Sequence, residues 1–380
     1  MSNKFPRNLS KKSKRLIQDN YIYSSVLFCT ADPTKDAGGI AKYFVARSKI
    51  CMTFYFPLGY MSKPTYFRKY KMGVLESEKI FHSYTGRNTF IKNIQNYLFF
   101  IYCLLFFVPR KTFILTNAPI YCFGYFIFAF IKLHKYILWL GDYYPQKSIF
   151  IYLHNIFIDY LNKNLQYVLY ISPPLSRLYE SKRRNKKYTK VIQLGMENEK
   201  ITYKKNKSKI KLGFIGILRN QQGIELAFSY LALHKNISLD IVGGGYWLAY
   251  YKKLARKLNI NSRVTFYGSV DDVSTIFQKW DIGIALYEDT VDNLSRYCEP
   301  TKLKKYLSYG LPVITTRATY FSREIEESGV GVVIDENTYS LGVAIKNIIL
   351  NYDTYQHKIG KLLKKYEYVS WYDKKFAFMR

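Results

Sequence analysis

Acidic residues are scarce in this chain. Its 380 residues include 27 Asp and Glu against 58 Lys and Arg, a formal net charge of +31. The shortage is concentrated in one half: residues 1–200 hold 31 basic against 10 acidic side chains, and residues 201–380 hold 27 against 17. A surface so poor in carboxylates attracts polyanions, whether anionic lipid, nucleic acid or phosphorylated substrates. An AT-rich genome is the other source of so much Lys, Ile, Asn and Tyr. Cysteines are few and scattered: Cys29, Cys51, Cys103, Cys122 and Cys298 form no CxxC pair and no metal-ligand spacing. That argues against a disulfide framework or a zinc site and suits a reducing compartment. The histidines (His82, His134, His154, His234, His357) make no HExxH-like cluster. Long apolar runs are missing as well. The strongest, at 97–108 and 118–131, fall short of the roughly 18–20 residues that span a bilayer. They read as buried helices of an α/β domain, or as helices that dip into a membrane. The basic start, MSNKFPRNLSKKSKR, is not followed by an apolar stretch of signal-peptide type.

What is present is alternation of strand-like and helix-like segments. SSVLFCTAD (24–32), KTFILTNAP (111–119), KYILWLGDYYP (135–145) and NLQYVLYISPPL (164–175) are apolar, β-rich runs separated by helix-length stretches. Such runs indicate a parallel sheet covered on both faces. A lysine-rich segment, ITYKKNKSK (201–209), follows as a linker. The pattern then restarts with IKLGFIGIL (210–218), ISLDIVGGG (237–245), RVTFYGSV (263–270), DIGIALY (281–287), LPVITT (311–316) and VGVVID (330–335). Helix-length segments at 225–235 and 246–259 lie between the first of these. The expected architecture is two Rossmann-like, doubly wound α/β domains facing a cleft.

Three turns carry chemistry. In GFIGILRNQQGIELAF (213–228) a strand ends at Gly216 and a helix begins near Gly223. Glycines there let backbone N–H groups approach a phosphate, and Arg219 adds a charged donor. IVGGG (241–245) repeats the device with Gly243 and Gly244, although tight strand–helix packing explains the same glycines. YCEPTKLKKYLSYGLPVITT (297–316) places an acid, Glu299, before a helix with Pro300 at its start, then Thr301, Lys302, Lys304 and Lys305, and closes it at Gly310. Acid, free N–H groups and lysines at one helix N-terminus can hold a nucleotide diphosphate and touch a sugar hydroxyl. A capped surface helix with solvated lysines is the alternative.

The order of these segments resembles the C-terminal donor domain of family 4 (group 1) retaining glycosyltransferases of GT-B fold. In the first half, DAGGI (36–40), with Gly38 and Gly39, resembles the family's acceptor-side glycine loop. LYISPPL (169–175) and VIQLGME (191–197) resemble its next segments, and YVSWYDKKFAFM (368–379) resembles its final helix. The resemblance implies an acceptor domain over 1–200, a donor domain over 201–359 and a final helix, 360–380, that packs back on the first domain. It also implies metal-independent transfer of a hexose, with retention, from a UDP- or GDP-linked donor to a glycan or lipid-linked acceptor. The family's two glutamates, eight residues apart, fall here on Tyr297 and Lys305, and its basic donor-loop positions on Ile217 and Gln222. The expected donor-binding residues are Gly216, Arg219, Gly243, Gly244, Glu299, Pro300, Thr301, Lys302 and Lys305, with Arg219, Lys302, Lys305 and the N–H groups near 300–303 on the diphosphate. Glu299 would hold a sugar or ribose hydroxyl. Asp142, at a strand end, would orient or deprotonate the acceptor, or else only cap the segment after it.

Three rival functions fit parts of this sequence. A nucleotide-sugar epimerase of the same fold needs deprotonating carboxylates and histidines, and these motifs carry no histidine. A pseudo-enzyme acting as scaffold or regulatory partner fits the displaced glutamates. Nucleic-acid binding fits the charge but lacks any RRM, KH or helix-turn-helix signature. Basic stretches at 4–15, 63–71 and 181–190 beside aromatic apolar helices point instead to an anionic membrane surface. The expected setting is surface-polysaccharide synthesis by a cytoplasmic protein held peripherally on the inner membrane.

Overall fold

A computed structural model describes residues 21–30, 39–56, 64–82, 89–122, 132–143, 149–184, 187–199, 209–270, 272–290 and 293–379. Gly38, the basic stretch 4–15 and nearly all of the 201–209 linker lie outside the described residues, as does 123–131 of the second apolar run. The chain divides into two compact units, 1–195 with 368–380, and 196–367.

The first unit is built on an eight-stranded sheet. Its strands are β1 (Tyr23–Thr30), β2 (Ser48–Tyr55), β3 (Thr65–Lys71), β4 (Val74–Phe81), β5 (Phe113–Thr116), β6 (Lys135–Leu140), β7 (Tyr167–Tyr170) and β8 (Thr189–Val191). They lie in the order β4-β3-β2-β1-β5-β6-β7-β8. Five neighbouring pairs from β2 to β8 are parallel, as their continuous apolar runs predict. The β2–β3 and β3–β4 pairs are antiparallel, a departure from the expected all-parallel sheet. Stretch 63–71 is therefore a strand for most of its length. Arg68 is buried and paired with Glu78, and Lys69 meets Glu76 at 2.7 Å, so these charges are neutralised within the hairpin. The charged side chains of β4 also guard an open sheet edge.

Its helices are α1 (Ile40–Arg47), α2 (Thr89–Phe106), α3 (Ile149–Asn164) and α4 (Pro173–Tyr179). The Ser172 hydroxyl caps α4 by accepting from Leu175 N at 3.3 Å. The second unit carries a six-stranded, all-parallel sheet of β9 (Ile210–Ile215), β10 (Ile237–Val242), β11 (Val264–Gly268), β12 (Ile282–Ala285), β13 (Val313–Thr316) and β14 (Gly331–Ile334). Its helices are α5 (Ile224–Leu233), α6 (Leu248–Lys257), α7 (Ser274–Phe277), α8 (Thr301–Ser308), α9 (Ser322–Ser328), α10 (Thr338–Leu350) and α11 (Tyr352–Lys365). The last helix, α12 (Tyr368–Lys375), returns to the first unit.

That division corrects the expected 360–380 helix. The buried residues of α11, Ile359, Leu362 and Leu363, are on a helix that packs on α8 and α9, so it stays with the second unit. Only α12 and the turn 377–379 join the first-unit core, beside α1. There Tyr43 donates to Asp373 at 3.0 Å, Arg47 donates to the same carboxylate at 2.7 Å, and the Tyr23 and Tyr43 hydroxyls lie 2.9 Å apart. Burial first, then Tyr23 and Asp373, pushes the Tyr43 hydroxyl pKa far up, so it stays protonated as a donor.

Part of the basic excess serves helix ends. Lys132 donates to the carbonyls of Leu104 at 3.0 Å and Val108 at 3.1 Å, at the end of α2. Arg183 donates to Asn162 at 2.6 Å and Leu165 at 3.1 Å beyond α3. Arg263 does the same for Leu231 and His234 at 2.7 and 2.8 Å, closing α5. Cations belong there because the last carbonyls lack partners and carry the negative end of the helix dipole. The expected lipid-facing stretch 181–190 thus contains one buried cap, Arg183, and Lys182 paired with Asp159 at 2.9 Å.

Candidate active site

The second sheet runs in the order β11-β10-β9-β12-β13-β14. The chain winds outward one way from β9 and the other way from β12, so the order reverses between those two strands. Ligands of doubly wound sheets bind beyond the carboxyl ends of strands at such a switch point. Tyr306 of α8 locks the two strands together there. Its hydroxyl accepts from Ile215 N at 2.9 Å and donates to Ile284 O at 3.1 Å, and its ring occupies the space a side chain on Gly283 would need.

Beyond β9 the chain turns at Gly216, whose φ of 143° lies in glycine territory. A side chain there would overlap the stem of Lys302. The Lys302 ammonium lies 4.2 Å from the Phe214 ring centroid and 5.0 Å from that of Tyr287, and it donates to the Gln222 side-chain carbonyl. Among the described residues the buried Gln222 amide nitrogen has no hydrogen-bond partner, at a residue only 2% exposed. Arg219 is close enough to act on both Lys302 and Tyr287, and its carbonyl accepts from Tyr251 at 3.0 Å. Among the described residues neither Arg219 nor Lys302 has a carboxylate partner. Burial, and secondly Arg219, holds the Lys302 pKa well below the ordinary lysine range. Two cations without a carboxylate partner and a buried amide donor at a switch point are an arrangement that can hold an anion. The turn is held firmly: Gln221 sits at φ 60°, its carbonyl accepts from Asn293 at 3.2 Å, and its side chain donates to Thr290 at 2.9 Å.

The glycines after β10 divide into two roles. A Cβ on Gly243 would overlap the Gly216 carbonyl, so this residue lets the two turns stack backbone on backbone. Gly244 has open space, its nearest neighbour being Ser269 Oγ at 3.7 Å, and its carbonyl accepts from Leu218 N at 2.9 Å. Gly243→Ala is expected to lower the melting temperature clearly, by roughly 2 kcal/mol or more of strain and lost packing. Gly244→Ala should melt within about 0.5 kcal/mol of wild type. A thermal melt of both variants checks this pair, and equal losses would overturn the division.

The three lysines of α8 do not converge. Lys302 faces Gly216. Lys304 turns inward, 4% exposed, and forms a buried ion pair with Glu299. Tyr320 donates to the other Glu299 oxygen. Burial lowers the Lys304 pKa against the pull of Glu299. Lys305 lies 4.9 Å from the Tyr309 ring centroid. Pro300 caps α8 rather than occupying its first turn, with no side-chain hydrogen bond, and Thr301 is exposed at the first position. In the first unit the strand order reverses between β1 and β5, and Gly39, in left-handed conformation at φ 69°, begins α1 beyond β1. Asp142 is exposed just past β6, one strand away from that reversal. Gln222, which the sequence shows only as a neutral residue at one of the family's basic donor-loop positions, is marked as a site residue by its burial beside Lys302. No group of three or more His, Cys, Asp or Glu among the described residues is arranged to hold a metal.

Comparison with known proteins finds one family match and a shared fold. Residues 195–365 match the family model described as glycosyl transferases group 1, nearly the whole second unit. No curated protein matches the chain in sequence. Among solved structures, the fold is similar to WaaG, a glycosyltransferase involved in lipopolysaccharide biosynthesis, at a TM-score of 0.65 and 14% identity, covering 93% of this chain and 99% of that one. It is similar to sucrose-phosphate synthase from Thermosynechococcus elongatus at 0.66 and 14%, covering 94% and 99%. It also resembles HepE of Anabaena, solved with UDP and glucose, at 0.64 and 13%, covering 94% and 99%. The chain has an α/β fold of GT-B type.

Proposed function

We propose that this protein is a group 1 glycosyltransferase that takes a sugar from a UDP- or GDP-linked donor. The observation that carries the reading is the pair of unneutralised cations, Arg219 and Lys302, set with the Gln222 amide against Gly216 at the sheet's switch point. A nucleotide diphosphate supplies the missing negative charge. As the sugar–phosphate bond breaks, charge grows on the departing diphosphate, and fixed cations in a half-buried site stabilise that charge most strongly. Two side-chain cations perform the neutralisation, so the transfer is proposed to need no metal. Thr301, Lys305, Pro300, Gly243 and Gly244 line the approach to this site in the same reading. Glu299 and Asp142 are its acid candidates, and Glu299 acts from behind Lys304 and Tyr320. Retention of configuration, a hexose as the sugar, and a glycan or lipid-linked acceptor in surface-polysaccharide synthesis complete the proposal, at an anionic inner-membrane surface.

The closed-off Glu299 and the lysine at position 305 favour one second reading, a pseudo-enzyme that binds nucleotide without turnover. A thermal-shift panel of UDP, GDP, ADP and dTDP sugars, run on wild type and Arg219→Gln, tests both. A shift with one nucleotide class, reduced tenfold or more in affinity by the variant, supports the donor site. Release of free nucleoside diphosphate from the bound donor then marks the enzyme, and binding with no release marks the scaffold. Folded protein that responds to none of the panel overturns the proposal.

A further inference from the structure

The helices α2 and α3 of the first unit are apolar on both their covered and their exposed sides. On its buried side α2 carries Phe100, Cys103 and Leu104 together with Lys92, 3% exposed, and Asn96, which accepts from Thr65 at 2.6 Å. Its exposed side carries Ile91, Ile94, Leu98, Tyr102 and Leu105, a stripe at steps of three and four residues, with Leu98 62% exposed. In the same way α3 buries Ile158 and Leu161 beside Asn162, which donates to Tyr179 O at 2.8 Å and accepts from Tyr170 at 2.7 Å. Its exposed stripe is Ile149, Tyr152, Leu153, Ile156 and Tyr160, with Leu153 55% exposed. Both helices pack against the turn Pro119–Cys122, so they lie on one face of the sheet, with exposed Ile120 in that turn. Two exposed apolar stripes on one face of a sheet are the kind of surface that interaction sites present.

Charge selects the occupant. From residue 89 to 106, α2 contains no Asp or Glu, and the single acid of α3, Asp159, is paired with Lys182. Arg110 and Lys111 follow α2, Lys163 ends α3, and this half of the chain carries 31 basic against 10 acidic residues. A second copy would bring like charge against like charge, whereas an anionic bilayer neutralises it while taking up the apolar stripes. No helix among the described residues is long and apolar enough to cross a membrane.

We propose that the outward faces of α2 and α3 insert together into the headgroup–acyl boundary of an anionic bilayer, so that the first unit docks by apolar burial as well as by charge. This specifies the face of the membrane association proposed above and does not depend on the donor site. Flotation of the full chain with phosphatidylglycerol–phosphatidylethanolamine vesicles, at about 0.1 and 0.5 M salt, tests it because salt screens charge and spares apolar contact. Wild type is expected to float and to keep most of its binding at the higher salt. The variant Leu98→Glu, Leu105→Glu, Leu153→Glu, Ile156→Glu should lose tenfold or more in vesicle partition, with helix content and nucleotide response unchanged. A Tyr102→Trp variant should be quenched by brominated acyl chains. Full release of wild type at high salt, unimpaired flotation of the glutamate variant, or an unquenched Trp would each overturn the proposal. So would a lipid-free dimer that the glutamates dissolve while wild type ignores vesicles.

Discussion

Lys302→Met should weaken nucleotide diphosphate binding by roughly thirtyfold or more and, at the same time, make the ligand-free protein more heat-stable. Methionine keeps the stem that packs on Gly216 and between Phe214 and Tyr287, and removes only the ammonium. In the ligand-free state that ammonium is buried beside Arg219 with no carboxylate to answer it, so its removal relieves a desolvation and repulsion cost of about 1 kcal/mol or more. At the size of the second unit this is worth roughly 2–4 °C per kcal/mol. With ligand bound the balance reverses. Losing one partner of a desolvated charge pair costs about 2–5 kcal/mol, or roughly thirty- to several-thousandfold in affinity. Calorimetric melting and titration of the same variant read the two effects separately. Unchanged nucleotide affinity would remove Lys302 from the donor site, and a fall in melting temperature would mean that the ammonium is already satisfied without ligand.

The same residue sets a pH signature. Its pKa in the folded, ligand-free protein lies below the unfolded value, because burial and Arg219 disfavour the charged form. Between those two values the unfolded chain binds the extra proton, so this group's contribution to stability rises with pH across that window. It is least favourable below the folded value, where the lysine is charged in both states. A bound diphosphate restores the charge. Nucleotide binding should therefore take up a proton within the window and weaken as pH climbs through it. Titration calorimetry in alkaline buffers of different ionisation enthalpy measures that uptake, which Lys302→Met should lack.

How far the sequence foretells this molecule depends on which physical signal each part emits. The six strands of the second sheet are legible because each is a short apolar run bounded by glycine or polar residues, and a strand buried on both faces must read that way. The β3–β4 hairpin is not, since TYFRKYK and VLESEKIF alternate large and charged groups and look like solvated surface. Only pairing reveals that Arg68 faces Glu78. The proposed anion site is half visible in the sequence. Gly216, Arg219 and Lys302 announce themselves by type and spacing, whereas Gln222 stands at a position where the family carries a basic residue, and only its burial shows what a neutral amide does there. Helical geometry already forbade the convergence of all three lysines, because residues two apart on a 3.6-residue turn point about 200° from each other. Lys302 and Lys304 had to face opposite ways. What no periodicity could supply was the partner of Lys304, since Glu299 sits before the helix begins. The outward apolar stripes of α2 were hidden for a related reason: hydrophobicity on all sides conceals which side is covered.

The ion pair of Glu299 with Lys304 yields the sharpest stability prediction. Glu299→Ala leaves the Lys304 ammonium without its counter-charge in an interior formed by Phe321 and Tyr366, whose ring centroids lie 5.2 and 4.9 Å away, and leaves Tyr320 without its acceptor. Stripping one member from a buried pair costs about 3–5 kcal/mol, enough to unfold a marginal domain. Loss of nucleotide binding in that variant would therefore say nothing about contact between Glu299 and a sugar. The double variant Glu299→Met, Lys304→Met removes both charges and fills similar volume, and should recover most of the stability, since two neighbours in one pair are strongly non-additive. Chemical denaturation of the two single variants and the double one measures the coupling. We expect nucleotide binding to return with the fold, because the proposed diphosphate site lies on the opposite side of α8, at Lys302. Sugar transfer then separates the two possible roles of the acid. Turnover restored along with binding makes Glu299 a brace that positions the start of α8, whereas binding restored without turnover makes it a catalytic carboxylate that Lys304 and Tyr320 release when the donor arrives.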